Sequence, residues 1–221
     1  MISLWNKLTG MTLDSSISRS VVYGYLFRKA FNMFRGFVKL RHLKVCVDKH
    51  CTFKCKRLIH TKFWLNIQHD VHIDALSRNG VQFGSHVSVG CFTRIECTGS
   101  LSHLGEGFMC GNNCGLGTNA FYGAAGGIKI GNNVIVGNFV SFHSENHNFS
   151  DSEIPIRLQG TSHKGIVIGD NCWIGAKATI LDGVHIGNGC VIAAGSVVTK
   201  SFPDNVVIGG VPARIIKNRI Q

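Results

Sequence analysis

Proline is nearly missing from this chain, with three residues in 221. A β-sandwich would use more proline in its turns and a period of two in its strands, so that fold is disfavoured. Acidic residues are scarce as well: 12 against 23 Lys and Arg, a formal net charge of +11. There is no CxxC pair; Cys51 and Cys55 are four apart. The nine cysteines are scattered, so no disulfide framework is expected and a reduced, cytosolic setting follows. No apolar run is long enough to cross a bilayer, because charge interrupts the most hydrophobic stretch, residues 20–40. Met1–Gly10 is short and mixed, so no cleavable signal peptide is expected.

What the sequence does have is a period of six. From Ile168 an aliphatic residue recurs at every sixth position: Ile174, Ile180, Ile186, Ile192 and Val198. Four residues after each comes a second inward-type side chain, mostly small: Cys172, Ala178, Val184, Cys190, Ser196 and finally Phe202. Neither a helix nor a plain strand has this period. It predicts an all-β solenoid in which each hexad is one short strand plus one turn. Inward aliphatics then stack about 4.8 Å apart along the axis. Three hexads close a triangular coil of about 18 residues. Shorter series lie upstream, at Phe83, Val89, Ile95 and Leu101, at Leu104, Cys110, Leu116 and Tyr122, and at Ile130, Val136 and Phe142. Each break between series marks an insertion. Cys110, Cys172 and Cys190 read as small buried hydrophobes.

Charge divides the chain. Residues 1–64 hold thirteen Lys and Arg but only two acids, Asp14 and Asp48, whereas residues 65–221 hold ten of each sign. The reading is therefore a basic N-terminal helical or capping segment, 1–64, and a solenoid domain, 65–221. Within the first, residues 20–40 form an amphipathic helix with Val22, Leu26, Phe27, Ala30, Phe31, Phe34, Phe37 and Val38 as its apolar positions. Two roles stay open: covering the open end of the solenoid, and peripheral contact with a membrane. No nucleic-acid recognition motif accompanies the charge. Strands before residue 65 are expected to be poorly formed, and a short tail is expected over 208–219.

The longest break is residues 142–165, polar, His-rich and without the hexad. Loops of that length inside a compact fold are usually functional. It carries Ser144-Glu145-Asn146-His147-Asn148-Phe149, Ile154-Pro155-Ile156 and Gln159-Gly160. Downstream stand Ile168-Gly169-Asp170-Asn171-Cys172-Trp173-Ile174-Gly175-Ala176, Ala193-Ala194-Gly195-Ser196-Val197-Val198-Thr199-Lys200, and Gly210-Val211-Pro212-Ala213-Arg214. With these motifs, residues 65–221 resemble the hexapeptide-repeat acyltransferases, which fold as left-handed parallel β-helices. The nearest likeness is to bacterial polysaccharide and sugar O-acetyltransferases related to galactoside, maltose and xenobiotic acetyltransferases.

The resemblance implies acetyl-CoA as acyl donor, a homotrimer with sites at subunit interfaces, and no metal. It makes His147 the general base, a task that suits an imidazole near neutrality. Glu145 would either orient that ring or remain a solvated acid. Ala176, Ala194, Thr199, Lys200, Arg214 and Lys217 match coenzyme A contacts, the cations facing phosphates, and Trp173 would wall the thioester or acceptor end. The acceptor would meet His143, Asn146, Arg157 and Gln159 of the loop and Thr118 and Asn119 of a nearby coil. Thr118 and Asn119 depart from the galactoside-type pattern. A larger, lipid-linked sugar at the cytoplasmic membrane face fits the basic N-terminus better than a soluble galactoside.

The function expected is O-acetylation of a sugar hydroxyl in O-antigen, capsule or exopolysaccharide synthesis. N-acylation of an amino-sugar nucleotide is the enzyme alternative. A non-catalytic scaffold is the alternative of another class. So is a metal site of the gamma-carbonic-anhydrase kind, with His143 and His147 joined by His103 or His163.

Overall fold

A computed structural model describes residue 14 and residues 16–219; the signal-peptide reading at Met1–Gly10 lies outside them. From residue 45 the chain winds as a parallel β-helix of triangular section. Phe108–Cys110, Ile128–Ile130, Ile166–Ile168 and His185–Ile186 stack on the first face. The second face carries Gly115–Leu116, Ile135–Val136, Trp173–Ile174 and Val191–Ile192. The third runs from Thr52–Lys54 through Phe121–Gly123, Ser141–His143 and Thr179–Leu181 to Val197–Val198. Two long strands, Ile59–Ile67 and Val81–Val89, turn from the first face into the second and join them in one sheet.

The period-six columns are the core. Ile168, Ile174, Ile180, Ile186, Ile192 and Val198 are all fully buried, as are Cys172, Ala178, Val184 and Cys190. Their registers repeat across one coil: Ile168 pairs with Ile186, Ile174 with Ile192, Ile180 with Val198. Two upstream expectations fail. Leu101 is 88% exposed and Leu104 is at the surface too, because residues 97–107 leave the coil as an excursion. The register therefore passes directly from Phe83 to Cys110 and from Ile95 to Tyr122.

Two corners are built from short polar turns. At the first, a ladder of side-chain amides and carboxylates links successive coils. Asn112 Oδ1 accepts from Ser85 N–H at 2.8 Å, Asn132 Oδ1 from Asn112 N–H at 2.9 Å, Asp170 Oδ1 from Asn132 N–H at 2.7 Å, and Asn188 Oδ1 from Asp170 N–H at 2.8 Å. The next residue in each turn, Asn113, Asn133 or Asn171, is left-handed at φ 56°, a conformation asparagine tolerates. At the second corner the backbones approach so closely that a Cβ on Gly137 would lie 2.7 Å from Ala176 N, and one on Gly175 2.5 Å from Ala194 N.

All the long insertions fall at the third corner, between the third face and the first: 75–80, 97–107, 124–127 and 144–165.

The helix α1, Arg19–Leu40, packs across the strand Val45–Val47. That strand pairs with Ile59–Ile67, which itself runs through the boundary drawn at residue 64. Well-ordered coils thus begin ahead of residue 65, since Val45, Val47 and Cys51 supply inward side chains although the segment lacks the hexad glycines. The helix meets the coil with a face other than the aromatic one. Val22, Asn32 and Gly36 are buried, while Phe27, Phe31, Phe34, Phe37 and Val38 point outward. A side chain on Gly36 would run into the carbonyl oxygen of Val45, so this close approach needs glycine. Lys39 Nζ donates to Cys51 O at 2.6 Å, and Arg35 pairs with Asp48 at 3.4 Å. The tail is an antiparallel hairpin, Val206–Gly210 with Ala213–Asn218.

Candidate active site

The insertion 144–165 is anchored at both ends. At its start Ser144 is fully buried; its Oγ accepts from Gly126 N–H at 2.9 Å and donates to Gly123 O at 2.8 Å. At its end Asp182 accepts from Lys164 N–H at 2.9 Å and Gly165 N–H at 2.8 Å. Between them Asn146–His147 and Thr161–Ser162 form an antiparallel ribbon, with His147 opposite Thr161. Beyond the ribbon, Gln159 holds the tip. Its amide donates to Asp151 O at 2.8 Å and Ile154 O at 2.6 Å and accepts from Asp151 N–H at 3.1 Å. The amide proposed for the acceptor is thus engaged within its own loop.

His147 and Asn146 stand exposed on the ribbon. His143 ends a strand of the third face, its ring tilted against Phe121 with centroids 5.6 Å apart. Burial pushes the His143 imidazole below its ordinary value, which favours the neutral ring. Glu145 does not bond to His147. Its Oε2 lies 3.5 Å from His163 Nδ1, and His163 Nε2 is 2.8 Å from Thr161 Oγ1. His163 is thus the partner of Glu145, a pairing that nothing in their spacing favours. The two lie 18 positions apart and meet only because the ribbon folds back. The excursion 97–107 reaches the same place, where a Cβ on Gly99 would lie 3.5 Å from Glu145 Oε2. Arg157 is exposed in the short 3-10 turn Ile156–Leu158. Among the described residues no three His, Cys, Asp or Glu stand together as a set that would hold a metal ion.

The other predicted residues lie elsewhere on the prism. Ala176 and Ala194 are exposed on the second corner, beside the close backbone approaches at Gly137 and Gly175. Thr118 and Asn119 belong to that same corner. Phe139 N–H donates to Thr118 O, Lys177 N–H to Asn138 O and Gly195 N–H to Ala176 O, each at 2.9 Å, which makes one continuous column. Thr118 and Asn119 are therefore stacked with the alanines, one corner away from the His147 loop of the same chain. Trp173 is 55% exposed on the second face. Thr199 and Lys200 follow the last strand of the third face, and Lys200 Nζ sits 5.8 Å from the centre of the Phe202 ring. Arg214 and Lys217 project from the final hairpin.

The coil repeat matches a family model. Residues 165–200 fit the one described as the hexapeptide repeat of succinyl-transferase. Residues 165–200 thus carry hexapeptide repeats, and the fold is a left-handed parallel β-helix. A solved structure of AntD, an N-acyltransferase from Bacillus cereus in complex with dTDP-4-amino-4,6-dideoxyglucose and coenzyme A, shares the fold; the TM-score is 0.55 at 20% identity, over 80% of this chain and 82% of that one. In sequence, 97 residues are 38% identical to the putative lipopolysaccharide biosynthesis O-acetyl transferase WbbJ of Escherichia coli K12, covering 41% of this chain and 50% of that protein. Galactoside O-acetyltransferase of the same strain is 41% identical over 91 residues, 41% of this chain and 43% of the relative. The chain spans about half, or less, of the length of these curated relatives.

Proposed function

We propose that this protein transfers an acetyl group from acetyl-CoA to a hydroxyl of a sugar, in the assembly of a bacterial surface polysaccharide. One observation carries the proposal: the longest insertion is pinned to the coil by buried Ser144 and by Asp182, and its ribbon presents His147 to solvent. The sequence likeness to O-acetyltransferases supports the same reading.

His147 accepts the proton of the acceptor hydroxyl as that oxygen attacks the thioester carbonyl. The carbon–sulfur bond then breaks, an ester forms, and the proton passes to the departing thiolate. The second corner suits a long, thin donor. Its small residues leave the backbone open beside Ala176 and Ala194, and Lys200, Arg214 and Lys217 supply cations for phosphates. The base and this donor edge occupy different corners of one chain, so a complete site needs a second subunit. We take the protein to be a homotrimer working on the cytoplasmic side, with its base and donor edge meeting across subunits.

The test is thiol release from acetyl-CoA against a panel of sugars, amino-sugar nucleotides and lipid-linked oligosaccharides, for wild type and His147→Ala. Turnover on a hydroxyl acceptor that collapses in the variant supports the reading. Turnover confined to amines moves it to N-acylation. No turnover together with no coenzyme A binding sinks it.

A further inference from the structure

Helix α1 has a docked face and an exposed one. The docked face meets the first coil. The other is an outward ridge of Tyr23, Phe27, Phe31, Phe34 and Val38, spaced three or four apart, all between 49% and 77% exposed. A chain that buries Ile, Val and Cys so completely along its coils has placed its aromatic side chains in water here. An exposed apolar stripe of this kind marks an interaction surface.

The ridge ends in a cationic cavity. Val38, its last member, also lines a cavity of about 540 Å³ together with Lys39, Leu40, Arg41, Lys56, Arg57 and Ile59. Arg41, Lys56 and Arg57 have no ion-pair partner among the described residues. Among the described residues no acid lines the cavity. Of the acids of residues 1–64, Asp48 pairs with Arg35, and Asp14 lies ahead of the helix. Among the described residues, the positive charge beside the ridge is therefore uncompensated.

We propose that this face binds an anionic lipid surface, the ridge lying among the acyl chains just below the headgroups and the cavity cations holding lipid phosphates. The observations fit that occupant better than a second copy of the chain. A second copy would bring its own excess of Lys and Arg against this one, whereas an acidic bilayer supplies the opposite charge and an apolar layer at the depth of a helix lying flat. Among the described residues no helix is long and apolar enough to cross a membrane, so the attachment is peripheral.

The test is co-sedimentation of the full chain with vesicles of phosphatidylcholine, with and without phosphatidylglycerol. Wild type is expected to bind only the acidic vesicles, and more weakly as salt rises. The triple variant Arg41→Gln, Lys56→Gln, Arg57→Gln should lose affinity on the order of a hundredfold. The variant Phe27→Ser, Phe34→Ser should lose on the order of tenfold or more. Both keep acetyl-CoA binding, so failure of this proposal and failure of the acetyl-transfer reading are distinguishable. The altered side chains are largely exposed, and a thermal melt checks that each variant folds. Wild type that ignores acidic vesicles overturns the proposal. So does equal binding to both vesicle types with the cation variant unaffected. Saturation by inorganic phosphate without vesicle binding would mark a free-anion site instead. Variants that fall from trimer to monomer, with no vesicle binding by wild type, would make the ridge a subunit contact.

Discussion

Replacing Ser144 with alanine tests whether the loop's anchor matters to chemistry. Ser144 Oγ ties the start of the insertion to the neighbouring coil through Gly126 N–H at 2.9 Å and Gly123 O at 2.8 Å, beside the backbone bond from Ser144 N–H to Gly123 O at 3.1 Å. The substitution removes both side-chain bonds and adds no bulk. Each bond contributes about 1 kcal/mol net, and an amide left against a methyl group in a buried position costs about 1–3 kcal/mol. A loss of about 2–3 kcal/mol follows, which for a chain of this size lowers the melting temperature by about 4–12 °C. The effect on turnover should be larger than its distance suggests. His147 is three residues away on a ribbon with few other ties to the coil, and a displacement of about 1 Å at a catalytic base costs up to about a hundredfold. Calorimetry and thiol release are the assays, with kcat expected to fall and the affinity for acetyl-CoA to hold. A melting temperature within about 1 °C of wild type, with unchanged turnover, would refute the reasoning.

Three further outcomes follow. His147→Ala should lower kcat by about 10²–10⁴-fold, with coenzyme A binding intact as judged by calorimetric titration. Tyr122→Phe should raise stability by about 1 kcal/mol, seen in a denaturant midpoint, because the Tyr122 hydroxyl is buried between Phe108 and Phe142 without a hydrogen-bond partner among the described residues. His143 should titrate below the ordinary histidine value of about 6.5 in an NMR pH series. Its folded form binds the proton less readily than the unfolded chain, so its effect on stability is absent above that value and stability falls as pH drops through it. A His143→Asn variant should flatten that part of the pH profile.

The period of six was enough to read the coils. A hexad's inward position is set by local strand and corner geometry, so each sixth-position aliphatic from Ile168 to Val198 is buried as its spacing predicts. The insertion at 142–165 was legible for the same reason, as a stretch where that local rule stops. Contacts between distant segments were not legible. Glu145 pairs with His163, Leu101 lies at the surface of an excursion, and the first coil opens at Val45 inside the basic segment. The helix shows the limit most clearly. Its sequence has one evident apolar stripe, yet packing uses Asn32 and Gly36 because only a small residue there lets the helix reach the Val45 carbonyl. The same holds for Thr118 and Asn119, which the sequence joined to the loop and the coil stacks on the corner of Ala176 and Ala194. Periodicity says which way a side chain points. Which corner it shares is decided by the number of residues in each coil, and that is fixed only when the coils stack.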